Sequence, residues 1–203
     1  MSGIDLAGFD AKFTGDGDPW ATFSDRDEAI KREAILHALG AAPLGRVLEL
    51  ASGNGSNSVA IAPRALRLDA TEGTRAGTAL TARAIAAYPR AKAIELALPA
   101  RFPRNVFDAV LIAELLYYLS PAEMVSVARQ VARSLRPGSL LVLAHHRIDF
   151  HDFAQHAAGI HRRFLDATHI EWRVSRMRRS GRWIVERCVA VDFDRRKGDC
   201  YRS

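Results

Sequence analysis

The chain has 203 residues, 48% hydrophobic and 26% charged, a length and composition that fit one globular domain able to bury a full core. No apolar run reaches membrane-spanning length, since the longest, 109–119, is broken by Glu114. The two cysteines, Cys188 and Cys200, fit no metal or redox spacing, and Asp5 and Asp10 stand where a secretory signal would be basic, so a reduced cytoplasmic setting without a membrane partner is expected. The net charge of +6 is carried mostly by arginine. These arginines are dispersed to about Arg162 and then thicken in strand-like sequence without interleaved aromatics, so the charge reads as compositional rather than as a nucleic-acid footprint.

Residues 1–23 carry Gly, Asp, a proline and several aromatics without a helical period, which predicts a flexible or lid-like lead-in ending on Asp16-Gly17-Asp18-Pro19-Trp20. Ser24 followed by Asp27 resembles a capping pattern, and a helix is expected to about Leu39, ended by Gly40 and Pro43. Residues 46–50 read as a buried strand running into the turn Ala51-Ser52-Gly53-Asn54-Gly55, where bare backbone can approach a ligand. A short helix is expected at 56–62, a strand at 65–69 with Asp69 at its carboxyl end, a helix at 74–88 and a strand at 91–96. A loop at 99–105 precedes an apolar strand at 106–113. Ser120-Pro121-Ala122-Glu123 then opens a helix with a capping serine, a proline at the first position and a glutamate at the third. That helix should end at Arg136-Pro137-Gly138, with a strand at 139–144 after it. Residues 150–167 look helical. Strand-like segments at 170–179 and 182–193 are joined by Ser180-Gly181, a hairpin turn, with Trp183, Val185, Val189, Val191 and Phe193 sharing a face with Arg187. Alternating strands and helices predict an α/β fold, a mostly parallel sheet covered on both faces, completed by a C-terminal antiparallel hairpin.

In such a sheet the ligand lies beyond the carboxyl ends of the strands, where strand order reverses. The glycine turn, Asp69 and Ala113-Glu114 all fall there. A carboxylate at the end of the second strand can accept from both hydroxyls of a ribose. Ser58 stands where a dinucleotide fingerprint would place its third glycine, which turns the reading away from nicotinamide and flavin.

Glu49 through Gly55 resembles the E-x-G-x-G-x-G loop of class I S-adenosylmethionine-dependent methyltransferases. Phe107-Asp108 through Glu114 resembles their fourth-strand motif, and Leu135-Arg136-Pro137-Gly138 the approach to strand five. Asp18-Pro19-Trp20, Glu114-Leu115-Leu116-Tyr117-Tyr118-Leu119, Ala144-His145-His146-Arg147 and His151-Asp152-Phe153-Ala154-Gln155 are similar to the nodulation protein S type, N-methyltransferases of chitooligosaccharides. The likeness runs from about residue 16 to 193. It implies a Rossmann-like methyltransferase fold in a single domain, with residues 1–23 as lid and 24–203 as the methyltransferase domain. The cofactor it implies is S-adenosyl-L-methionine, contacted by Trp20, Lys31, Glu49, Ala51, Ser52, Gly53, Gly55, Asp69, Ala70, Ala97, Leu98, Ala113 and Glu114, with Trp20 closing over it and Lys31 pairing with its methionine carboxylate. Two positions depart from the pattern. Ala51 replaces the usual first loop glycine, and Ala97 replaces the aspartate that hydrogen-bonds the adenine amine.

Methyl transfer is an in-line displacement for which the protein aligns the partners and supplies a base. Glu114, His145 and His146 are the candidates, and strand alternation lets only one of the two histidines face the site. Tyr117 and Tyr118 are expected to pack the following helix, with one lining the substrate pocket. His151, His156 and His161, five apart on an expected helix, would share no face, so no metal site is expected. The acceptor implied by resemblance is a small molecule, an amino group on a sugar or oligosaccharide. O-methylation of a small metabolite and a non-enzymatic nucleic-acid-binding role on a degenerate methyltransferase fold are the alternatives.

Overall fold

The computed structural model describes residues 3–104 and 106–191. Its centre is a seven-stranded sheet in the order β3-β2-β1-β4-β5-β7-β6. The strands are β1 (Leu44–Leu50), β2 (Ala65–Glu72), β3 (Ala91–Glu95), β4 (Phe107–Ala113), β5 (Leu135–His146), β6 (Trp172–Arg179) and β7 (Trp183–Ala190). The first five pair in parallel, and β7 then runs antiparallel to both β5 and β6. The helices are α1 (Leu6–Gly15), α2 (Arg26–Leu39), α3 (Ser58–Ile61), α4 (Arg75–Ala84), α5 (Pro121–Ser134) and α6 (Ile160–Thr168).

The central strands are largely apolar because helices cover both faces. Val47, Leu68, Leu111, Val142 and Val185 face Ile35, Ala38 and Leu39 of α2. Leu48, Val110, Ile112, Leu141 and Leu143 face Val127 and Val131 of α5 and Phe164 of α6. Alternation along each strand sends neighbouring residues to opposite cores.

Local chemistry sets the boundaries. The reciprocal capping box of α5 is present: the Glu123 amide donates to Ser120 Oγ, and the Ser120 amide to Glu123 Oε2. Helix α2 is capped by Asp25, one residue after the expected Ser24, because Asp25 accepts from the amides of Asp27 and Glu28. Two arginines serve the opposite end of α2. Arg187 donates to the Ala38 carbonyl at 2.6 Å and Arg64 to the carbonyls of Leu36 and Gly40. Part of the basic charge therefore satisfies helix-end carbonyls, and part protects the exposed edge strand β6, which carries Arg173, Arg176, Arg178 and Arg179.

Several segments differ from expectation. Helix α4 stops at Ala84 rather than at residue 88, and α5 stops at Ser134, so that β5 runs from Leu135 to His146 rather than over 139–144. Residues 6–15 are helical, with Asp5 accepting from the Gly8 amide as cap. Strand β2 continues three residues past Asp69, pairing as far as Glu72 with Glu95. The expected helix over 150–167 begins only at Ile160, so His151 and His156 are not on a helix at all. The expected strand to 193 ends at Ala190, and Phe193 and Cys200 lie outside the described residues. No described helix is long and apolar enough to cross a membrane.

Candidate active site

The carboxyl ends of β1, β2, β4 and β5 surround a cavity of about 840 Å³. It opens where the strand order departs in two directions from β1. Its floor is the turn after β1. There the Ser52 amide donates to the Thr71 carbonyl at 2.8 Å and the Gly55 amide to the Ser52 carbonyl at 2.9 Å. Three residues of this turn have left-handed backbone: Ala51 at φ 54°, Gly53 at φ 60° and Gly55 at φ 85°. Gly53 can adopt it freely, whereas Ala51 carries a methyl there at a cost of roughly 1 kcal/mol. Gly55 has a packing reason as well, since a Cβ on it would lie 2.9 Å from Thr81 Cα of α4.

The carboxylate at the end of β2 is Glu72. Its Oε2 accepts the Gly53 amide at 3.0 Å, and its Oε1 accepts the amide and hydroxyl of Thr74, each at 3.0 Å. Burial raises its pKa, opposed by these hydrogen bonds. Three bonds leave acceptor capacity on the carboxylate, which lines the cavity. Glu49 lies beneath the turn, outside the cavity lining, and accepts the Ser58 hydroxyl at 2.5 Å. Burial pushes its pKa up to about 7, with Ser58 opposing and Glu72 adding to the rise.

On the other side of the cavity Glu114 gathers four groups. Lys31 Nζ meets Oε1 at 2.6 Å. The Tyr117 hydroxyl, the His146 amide (3.1 Å) and His146 Nδ1 (2.9 Å) all meet Oε2. Burial alone would raise the Glu114 pKa, but Lys31 and then His146 outweigh it and hold the carboxyl well below its usual range. Glu114 itself has φ 53°, a strained conformation of the kind that accumulates at functional sites. Since an ionised Glu114 can only accept, His146 Nδ1 carries the proton, and Nε2 is left as the ring's basic nitrogen. Among the described residues Nε2 has no hydrogen-bond partner, and His146 lines the cavity.

Helix α1 and the segment after it form the roof. Phe9, Lys12, Phe13 and Trp20 line the cavity from above. The roof is tied down at three points. The Ile4 amide donates to the Asp152 carbonyl, Asp10 accepts the Ala76 amide at the start of α4, and Asp18 accepts Asn54 Nδ2 of the glycine turn at 2.8 Å. Tyr118, Phe150 and Phe153 form an aromatic wall beside His146.

Of the residues expected at the site, Trp20, Lys31, Ala51, Ser52, Gly53, Leu98, Ala113, Glu114, Tyr117, Tyr118 and His146 line this cavity. Asp69 does not. It sits mid-strand, paired with Arg67 at 3.5 Å and Arg104 at 3.1 Å, because β2 is longer than expected and Glu72 takes the strand end. Ala70 is in the core, Gly55 faces α4, and Ala97 points to solvent between the lining residues Leu96 and Leu98. Lys31 lines the cavity already paired with Glu28 as well as Glu114, so two of its three hydrogens are committed. His145 faces the opposite core and binds backbone, which removes it as a base. Glu72, Asp18, Asn54 and α1 were missed. The available signals were the acid just before Gly73 and the apolar spacing Leu6, Phe9, Phe13. Among the described residues, no group of three or more His, Cys, Asp or Glu is placed to hold a metal.

Residues 47–138 match a family model described as a methyltransferase domain. No curated protein matches the sequence at a significant level. The fold is similar to that of the N-methyltransferase NodS from Bradyrhizobium japonicum WM9 in complex with S-adenosyl-L-homocysteine, at 16% identity and TM-score 0.75, covering 92% of this chain and 98% of that one. It is also similar to the DhpI–S-adenosyl-L-homocysteine complex, at 18% identity and TM-score 0.71 over 92% of this chain and 95% of that one. A Leishmania major S-adenosylmethionine-dependent methyltransferase aligns at 15% identity and TM-score 0.70, over 92% of this chain and 86% of that one. Residues 47–138 thus match a methyltransferase domain, and the fold of the chain is similar to that of S-adenosylmethionine-dependent methyltransferases, NodS among them.

Proposed function

We propose that the protein N-methylates an amino group of a small molecule, a sugar or oligosaccharide amine being the class its resemblance to NodS favours. The observation that carries this reading is the His146–Glu114 pair, a histidine with its outer nitrogen free at a cavity rich in carboxylates. Asp5, Glu28, Glu72, Glu114, Glu123 and Asp152 line the cavity against Lys12 and Lys31, in a chain of net charge +6. Such a lining attracts an ammonium, and an ammonium must lose a proton before its lone pair can attack. His146 Nε2 takes that proton while Glu114 holds the ring's tautomer and stabilises the imidazolium.

The cavity fits the methyl donor. Gly53 presents backbone without a side chain, and a Cβ there would have open space to within 3.6 Å of Phe13 on the roof. Glu72 has acceptor capacity for ribose hydroxyls, the third Lys31 hydrogen is available to a carboxylate, and Leu96, Leu98 and Ala51 offer apolar surface for a base. When bound, S-adenosylmethionine supplies an electrophilic methyl carbon on a positively charged sulfur. Trp20 and Phe13 exclude water from above, and Tyr118 and Phe153 orient the acceptor beside His146. Residues 1–23 act as the lid on a single methyltransferase domain, and the buried free thiol of Cys188 suits a cytoplasmic setting.

The test is a methyl-transfer assay with labelled donor against glucosamine, chitooligosaccharides and their N-acetylated, amine-free counterparts. Transfer to the free amines is expected, with His146→Gln lowering kcat by about 100-fold or more and leaving S-adenosylhomocysteine affinity within threefold. Transfer to the N-acetylated sugars at the same rate would establish O-methylation instead. No binding of S-adenosylhomocysteine would overturn the reading and bring forward the nucleic-acid alternative.

A further inference from the structure

We infer that His145, His161 and Glu186 form a positioning relay that runs along the α6-covered face of the sheet and holds the turn carrying Glu114. Its kinetic consequence rests on the methyltransferase reading; the relay itself does not. His145 is fully buried on β5, and His161 lies behind it on α6. His145 Nε2 accepts the amides of Leu115 and Leu116 at 3.3 and 3.2 Å. Because two N–H groups point at it, that nitrogen is unprotonated and Nδ1 bears the hydrogen. Nδ1 lies 2.9 Å from His161 Nε2, which must therefore accept, so His161 Nδ1 is the protonated nitrogen of its ring. That nitrogen is 2.9 Å from Glu186 Oε2 on β7. Both ends impose the same direction: a carboxylate that can only accept at one end, and two amides that can only donate at the other. Burial and the neighbouring His161 hold the His145 pKa well below its ordinary value, in keeping with a neutral ring that accepts.

The relay acts where the backbone most needs support. Glu114 is left-handed, and the next two amides open the 3-10 turn at Leu116–Tyr118, buried and beyond the reach of strand or helix partners. His145 is the acceptor for both. The turn it fixes carries Glu114, Leu115 and Tyr117, whose ring stacks on Phe153 at 3.6 Å. His145, His161 and Glu186 do not line the cavity, so they act only through the residues they hold.

Three variants test this. In His145→Leu, the Leu115 and Leu116 amides should exchange with deuterium at least tenfold faster, and kcat should fall by about 100-fold through misplacement of Glu114 and His146. Affinity for S-adenosylhomocysteine should stay within threefold. His145→Gln, whose amide oxygen reaches the Nε2 position, should recover both readouts to within about tenfold of the parent. Glu186→Leu should speed exchange at the same two amides while Glu186→Gln, which keeps an acceptor for His161, should not; this pair decides the matter if His145→Leu does not fold. Unchanged exchange at Leu115 and Leu116 in the leucine variants would overturn the relay, as would equal losses in the glutamine and leucine variants. Because exchange is read without substrate, an inactive parent protein would overturn the proposed reaction and still leave the relay decided.

Discussion

Two carboxylates three residues apart on β2 make opposite predictions. Glu72 lines the cavity and holds the glycine turn through the Gly53 amide. Glu72→Ala should weaken S-adenosylhomocysteine binding by about 2 kcal/mol, the loss of a charge-assisted contact, and calorimetry would read this as roughly thirtyfold. Asp69 is sealed against Arg67 and Arg104, away from the cavity. Asp69→Ala should leave that affinity within twofold and lower thermal stability instead. The same loss of affinity in both variants would mean that the turn is disturbed indirectly. The acidic residue was legible as a type, but its position was not. Both candidates sit in Leu-Asp-Ala-Thr-Glu-Gly, where nothing local states how far the strand pairs with β3. The choice between His145 and His146 was legible only as an alternation. Which one faces the cavity follows from the phase of β5, set by its partners β4 and β7.

The central strands, the α5 capping box and the hairpin could all be read because hydrophobic period and turn chemistry agree there. Helix α1 could not, since Gly8, Asp10, Lys12 and Gly15 dilute its apolar spacing and its partners come from the distant segments 73–76 and 152–154. Its stability is tertiary, which makes its tethers the points of control. Asp18 is the principal one. It accepts from the amides of Thr22 and Phe23, from the Thr22 hydroxyl and from Asn54 Nδ2. These bonds outweigh the rise that partial burial gives its pKa and hold the carboxyl below its usual value. Asp18→Ala should therefore loosen residues 6–23 with little effect on the sheet. Hydrogen exchange should rise across that segment alone, and release of S-adenosylhomocysteine should quicken by about tenfold in stopped flow, equivalent to roughly 1.4 kcal/mol. Exchange rising equally in β1 and β4 would show that the roof and the sheet open together.

At the scale of the whole molecule, the site imposes a pH dependence on folding. Glu49 is raised from 4.5 to about 7 by burial. Between those values the folded protein holds a proton that the unfolded chain has released, so stability falls as pH rises through this window and the loss is complete above about 7. Glu72 is raised as well and adds to the same trend. His145 works the other way. Its neutral ring is favoured by folding, so its contribution is lost as pH falls below the ordinary histidine value, when the unfolded chain takes up the proton first. The parent profile over pH 5–8 is thus a partial cancellation, and Glu49→Gln separates the terms. Glutamine mimics the protonated acid and keeps an acceptor for Ser58. The variant should match the parent near pH 5 and exceed it at pH 8 by up to about 3 kcal/mol, which thermal melts would read as roughly 6–12 °C. A difference that stays constant across pH 5–8 would show that Glu49 is already ionised in the fold. Because its carboxyl lies under the turn and is coupled to Glu72, the same variant should also flatten the pH dependence of S-adenosylhomocysteine binding over this range. That result would make the acid beneath the glycine loop a determinant of cofactor affinity without any contact to the cofactor.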